Sequence, residues 1–90
     1  MKSRFDKTYT RDLTSIVDKT LKQKVKQAVL TVENATTMRE IPSLKKLKGY
    51  KIHYRIRVGK YRIGITIEGD LVTFVRCLPR KNFYQKFPEK

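Results

Sequence analysis

One cysteine, no tryptophan, three prolines and only eight acidic residues occur in a chain of 90. The lone cysteine, Cys77, excludes an internal disulfide. It has no Cys/His cluster around it with zinc-ligand spacing, so neither a metal nor a cofactor is expected. On a strand it reads as a small buried apolar residue. No apolar run approaches the roughly 20 residues needed to span a bilayer. Nor does an apolar segment follow the charged N-terminus as it would in a signal peptide. The expectation is a cytoplasmic protein with one domain over residues 1–90 and a single small core.

The scarcity of acid leaves the charge one-sided. Twenty-two Lys and Arg against eight Asp and Glu give +14. Such a surplus confers solubility, self-repulsion and attraction to polyanions. Nucleic acid, an anionic membrane surface and an acidic protein all fit. A membrane ranks last, because no basic amphipathic helix with Trp or Phe anchors is evident. Nucleic acid ranks first, and an acidic protein would compete for the same surface.

Repeats and low-complexity segments are absent too. Phe5 belongs to a short first strand, SRFDKTY. Leu13, Ile16 and Val17 have i, i+3, i+4 spacing, and Leu21, Val25, Ala28, Val29 and Val32 continue with a period near 3.6. Two antiparallel helices joined near residues 17–19 follow, with Asp18 capping the second. Lys19, Lys22, Lys24 and Lys26 fall off the apolar stripe, as a solvated face or as contacts to nucleic acid. Residues 34–47 form a connector, broken by Thr36, Thr37, Pro42 and Ser43. Leu44 and Leu47 pin it to the core, and Gly49 opens the strands.

The stretch KIHYRIRVGKYRIGITIE, Lys51–Glu68, carries the most information. Gly59–Lys60 suits a two-residue type II′ turn. Val58 then pairs with Tyr61, Arg57 with Arg62, Ile56 with Ile63, Arg55 with Gly64, His53 with Thr66 and Lys51 with Glu68. Ile52, Tyr54, Ile56, Val58, Tyr61, Ile63, Ile65 and Ile67 share one face, which the helices cover. The cations share the other. Arg57 opposite Arg62 costs about 0.2–1 kcal/mol in like-charge repulsion. Gly64 opposite Arg55 leaves an open floor where a ligand atom can approach the backbone. The set reads as an anion pocket, against the plainer reading of a solvated basic face. A second tight turn at Gly69–Asp70 leads to a strand over residues 71–78. Either Val72 and Phe74 or Leu71 and Val75 face its helices, and Arg76 reaches the basic face in only one of these registers. In RKNFYQKF beyond Pro79, one helical turn puts Arg80 and Tyr84 on one side.

Two helices, an Arg-rich antiparallel sheet and a terminal Arg-x-x-x-Tyr resemble the RelE/ParE superfamily of bacterial toxins. The carrying residues are LKKLKGYKIHYRIRVGKYRIGI, Leu44–Ile65, and PRKNFY, Pro79–Tyr84. The resemblance implies an α+β fold, with two N-terminal antiparallel helices packed on a small twisted antiparallel β-sheet. It implies the toxin of a type II toxin–antitoxin pair, acting as a ribosome-dependent endoribonuclease on mRNA in the decoding site without metal. The 2′-OH attacks the adjacent phosphate, giving a 2′,3′-cyclic phosphate and a free 5′-OH. The partners implied are the ribosome, mRNA and a small acidic antitoxin that wraps the toxin; DNA would be met only through that complex.

On the matching positions, Arg55, Arg57 and Arg62 are expected to contact the phosphate and its transition state. Arg80 would support the leaving group and Tyr84 would stack on or orient the nucleotide. Lys51, His53, Lys60, Arg76 and Lys81 are the surrounding RNA contacts. Arg forks offer fixed donors to a phosphorane that gains negative charge as it forms. Family members often have Lys where Arg55 and Arg57 stand, and many have His where this chain has Pro79. Because Arg stays protonated, the general base is left open between His53 and catalysis through positioning on the ribosome. Two other functions share the features: a ParE-like inhibitor of DNA gyrase, and a non-catalytic RNA-binding homologue whose binding rests on charge alone.

Overall fold

A computed structural model describes residues 1–88. Five strands form one sheet in the order β1-β5-β4-β3-β2. They are β1 (Lys2–Phe5), β2 (Leu44–Lys46), β3 (His53–Val58), β4 (Tyr61–Glu68) and β5 (Leu71–Pro79). Helices α1 (Lys7–Thr14) and α2 (Lys19–Asn34) follow β1, and α3 (Arg80–Lys86) follows β5. The α+β expectation holds, with one difference in the sheet. β1 runs parallel to β5, so the sheet is mixed, although its remaining pairings are antiparallel.

The central hairpin has the register read from the sequence, from His53↔Thr66 to Val58↔Tyr61. Gly59 turns with φ 58°, while Lys60 is not at positive φ, as a type II′ turn requires. β3 begins only at His53, however, so Lys51 lies before the strand and is not paired with Glu68, which faces Leu71 instead. The connector also hides a strand: β2 pairs Lys45 with Arg55. Its approach passes through Ser43 at φ 61°, whose carbonyl accepts from the backbone N–H of Arg57 and from Arg55 Nη1.

Ile56, Val58, Ile63, Ile65, Ile67, Val72, Phe74 and Cys77 fill one side of the sheet, against Tyr9, Ile16, Val25 and Val32 from the helical layer. Asp18 caps α2, accepting from the N–H groups of Thr20 and Leu21 at 2.9 and 3.2 Å. α1 stops at Thr14, so the joint swings Val17 out to 91% exposure rather than onto the apolar stripe.

In β5, Val72 and Phe74 face the helices, and a bulge opposite Gly64/Ile65 then changes the phase. β1 ends at the same level, which would leave the rest of the β5 edge unpaired. Helix α1 takes over that edge. The Asp6 N–H donates to the Phe74 carbonyl, Thr8 Oγ1 donates to the Val75 carbonyl, and Asp12 Oδ2 accepts from the Cys77 N–H. Arg76 reaches to the same carboxylate, with Nε 2.8 Å from Oδ2 and Nη2 3.1 Å from Oδ1.

A second, smaller cluster lies on the other side of the sheet. Leu78, Phe83 and Phe87 are buried there, with Leu47 and Val75 packed against them. The open floor expected at Gly64 is therefore filled. A Cβ at Gly64 would lie 2.7 Å from Phe87 Cγ and 2.8 Å from each Cδ.

Three outcomes follow from this packing. Asp12→Ala removes the two-pronged ion pair to Arg76 and leaves the Cys77 N–H without its acceptor, and should cost about 1–3 kcal/mol in urea unfolding; a cost below about 0.5 kcal/mol would remove the carboxylate as an anchor. Gly64→Ala should cost about 1–3 kcal/mol through the Phe87 ring, and less in a Phe87→Ala background, a coupling that a double-mutant cycle measures. Burial, and then the charge of Asp12, push the Cys77 thiol from 9.0 up to about 12. The folded state thus keeps a proton that the unfolded chain has lost. Stability from this group is complete well below pH 9 and declines as pH rises toward 12, and Cys77→Ala should make that alkaline limb shallower in a pH series of unfolding midpoints, the remainder coming from the Tyr9 hydroxyl, whose pKa burial also raises.

Candidate nucleic-acid interface

α3 covers the β4–β5 half of the second face and leaves the β2–β3 half open. Two like-charged pairs stand there in register, Lys45↔Arg55 and Arg57↔Arg62. Lys45 and Arg57 are exposed and Arg55 is half-buried. The carbonyl of Ser43 holds Arg55 at 3.0 Å. Ser43, Leu44, Lys45, Arg55 and Arg57 line a shallow cavity of about 280 Å³.

Arg62 behaves differently. It lies in the ladder between Arg57 and Leu78, and only 8% of it is exposed. Its Nη1 donates to the carbonyls of Gly59 and Tyr61, both at 2.9 Å. Two oxygens of the hairpin turn thus partly neutralise a charge that Arg57 would otherwise repel. They also fix its plane, which a lysine with its single point charge would do less well.

β5 delivers the other two residues. Tyr61 pairs with Pro79, and the Arg80 N–H donates to the Lys60 carbonyl at 2.8 Å, so α3 starts at the hairpin turn. Arg80, Lys81 and Lys60 are exposed around that point. One turn later Tyr84 is 52% exposed, its ring packed edge-on to Phe83 at 4.9 Å. Arg80 and Tyr84 therefore share the short helix expected of them.

Three of the expected RNA contacts are held apart from the arginines. Lys51 is exposed but lies in the loop before β3. His53 is wedged between Tyr50 and Phe87, with ring centroids at 5.1 and 5.6 Å. Its Nδ1 is buried without a hydrogen-bond partner among the described residues. Such an atom costs about 1–3 kcal/mol, a cost set against the aromatic packing around it. Arg76 forks onto Asp12 along the strand edge instead of facing the open half of the sheet. Conversely, the sequence reading passed over Lys45, because β2 is short and follows Pro42–Ser43; alternation of Leu44 and Lys45 was its one signal. Among the described residues no group of three His, Cys, Asp or Glu side chains is placed to hold a metal ion.

Residues 4–84 match the family described as the ParE toxin of the type II toxin–antitoxin system parDE. Toxin RelE3 of Methanocaldococcus jannaschii is 39% identical over 89 residues, covering 98% of this chain and all of the relative. A RelB–RelE antitoxin–toxin complex from Methanococcus jannaschii superposes with a TM-score of 0.80 at 38% identity, over 94% of this chain and 99% of that one. The RelE–RelB complex of Pyrococcus horikoshii OT3 shares the fold at 21% identity, with a TM-score of 0.72 over 91% and 97% of the two chains. The hairpin register, the helical layer and these likenesses agree: the chain belongs to the RelE/ParE superfamily of toxins of type II toxin–antitoxin systems.

Proposed function

We propose that the protein is an endoribonuclease that cleaves mRNA in the ribosomal decoding site. The observation that carries this reading is the cationic half-face itself. Arg55, Arg57 and Arg62 stand on adjacent strands beside Lys45, with Arg80 tied to the turn that Arg62 also holds. A structural sheet has no use for two like-charged pairs side by side. A pentacoordinate phosphate does, because its negative charge grows in the transition state.

In the proposed reaction the ribose 2′-oxygen attacks the adjacent phosphorus and the P–O5′ bond breaks. A 2′,3′-cyclic phosphate and a 5′-OH result. Arg62, held by two carbonyls, presents a fixed charge. Arg57 and Arg55 complete the clamp on the non-bridging oxygens, and Arg80 faces the departing oxygen. The arginines remain protonated, so they act through charge and position. The 2′-OH proton passes to water or to a group of the ribosome, and O5′ is protonated in turn. An antitoxin partner is part of the reading: the solved relatives from both archaea are RelB complexes, and a net charge of +14 favours an acidic partner. A ParE-like action on DNA gyrase is the second reading, supported by the description of the matching family.

Primer extension in a reconstituted translation system tests the assignment. The wild type should cut mRNA within the decoding site only when ribosomes are present. Arg57→Ala and Arg80→Ala, both at exposed positions, should each slow cleavage about 10²–10³-fold with no fall in melting temperature, and Arg57→Ala should if anything melt higher because it removes the repulsion toward Arg62. Absence of cleavage by the wild type, together with inhibition of gyrase supercoiling that Arg57→Ala leaves intact, would replace this reading with the second one.

A further inference from the structure

A second feature of the same face belongs to none of the arginines. Five aromatic rings run in contact: Tyr50 to His53 at 5.1 Å, His53 to Phe87 at 5.6 Å, Phe87 to Phe83 at 5.2 Å and Phe83 to Tyr84 at 4.9 Å. The three middle rings are packed inward, and Phe87 rests on the bare backbone of Gly64. The two ends are not: Tyr50 is 37% and Tyr84 52% exposed. Both ends line one cavity of about 370 Å³, together with Leu47, Lys48, Phe87 and Pro88. None of these six is acidic, and Lys48 is exposed.

Two partly exposed tyrosines on a braced aromatic frame offer a flat ligand two rings that are already held in place. The volume is at the small end of ligand sites, roughly 300–1,000 Å³, a size that suits one base rather than a peptide helix. Every nucleobase has a π-face, and the phosphates on either side of it need cations. Lys48 supplies one at the rim, and the arginine half-face lies along the same side of the sheet. We infer that this cavity is a slot for one unpaired base of a single-stranded RNA, with Tyr50 as its second aromatic wall opposite the better-marked Tyr84 and with Lys48 on the neighbouring phosphate. The inference rests on RNA being the substrate, as proposed above, and adds to it a residue that holds one base away from the reacting phosphate.

Its test uses the free protein without ribosomes, so it reads binding and not cleavage. The probe is a short oligoribonucleotide carrying one 2-aminopurine, whose fluorescence falls on stacking, and a matched abasic oligonucleotide. The wild type should quench the probe and bind the abasic version about tenfold more weakly, the fold expected of one stacked base. Tyr50→Ala should lose the quench and weaken the base-bearing probe about tenfold, and Tyr50→Phe should restore both. Lys48→Ala should keep the quench and lower the slope of log K against log salt by about 0.7. Equal affinity of the wild type for the two oligonucleotides would overturn the slot, and that comparison does not depend on any variant folding. A Tyr50→Ala protein that quenches like the wild type would overturn it as well. So would loss of antitoxin co-purification in Tyr50→Ala with RNA binding unchanged, which would make the cavity a peptide seat. Failure of ribosomal cleavage with the base-dependent quench intact would remove the nuclease reading and leave the slot standing.

Discussion

The ring of Phe87 lies flat on the backbone of Gly64, closer than any side chain at that position would allow. Much of the second face depends on this contact. It holds the end of the C-terminal segment against β4, so that Phe83, Phe87 and Leu78 form a core of their own. With α3 in place, the face is divided into a covered half and an open half, and Arg62 falls on the line between them. The glycine is not needed for its dihedral freedom, since it is not among the residues at positive φ. It is needed for the absence of a Cβ. A ligand floor and a packing floor make the same demand on sequence, which is why glycine alone does not tell them apart.

The bulge beside Gly64 has a second consequence, on the edge of the sheet. It falls where β1 stops pairing with β5, and α1 supplies the missing partners with one backbone N–H, one hydroxyl and one carboxylate. Asp12 thereby joins a helix to a strand and draws in Arg76. A chain with eight acidic residues places one of them where an arginine would otherwise lie along an unpaired edge. Arginine count and available positive charge are therefore different quantities here: Arg76 is committed to Asp12, and Arg62 is committed in part to two carbonyls.

Most of the first face was legible in the sequence because its signals are local and periodic. The Gly59–Lys60 turn fixed the hairpin register from His53 onward, and a period near 3.6 marked α2 with its Asp18 cap. What escaped was set by partners distant in the chain. Nothing near Lys2–Phe5 signals a parallel pairing with residues 71–74. β2 is only three residues long and needs β3 to exist. Val17 obeyed the helical spacing, but the helix ended three residues earlier. The hairpin and one helical turn were enough to place Arg55, Arg57 and Arg62 on neighbouring strands and Arg80 and Tyr84 on one short helix. His53 has the expected partner Thr66, but its packing, like that of Arg76, escaped because their surroundings come from Phe87 and Asp12, 34 and 64 residues away respectively.

The arginines that remain differ in how firmly they are held, and that difference has chemical meaning. A donor that must be collected from solvent at the moment of reaction contributes less than one already aimed. Arg62 is aimed by the turn carbonyls, and Arg55 by the Ser43 carbonyl, at a residue in left-handed backbone conformation. Arg57 stands exposed between them, its charge opposed by both neighbours. Self-repulsion of this kind weakens the empty sheet, and an arriving anion would relieve what the turn carbonyls leave. On the proposed reading, the register Arg57↔Arg62 and Lys45↔Arg55 would give the free protein a preference for a doubly charged phosphate over a singly charged one. The repulsion relieved increases with the charge that the bound group carries. A site built from lone arginines on separate strands would bind phosphate but would lack this gradient, and it is the gradient that favours a transition state over its ground state.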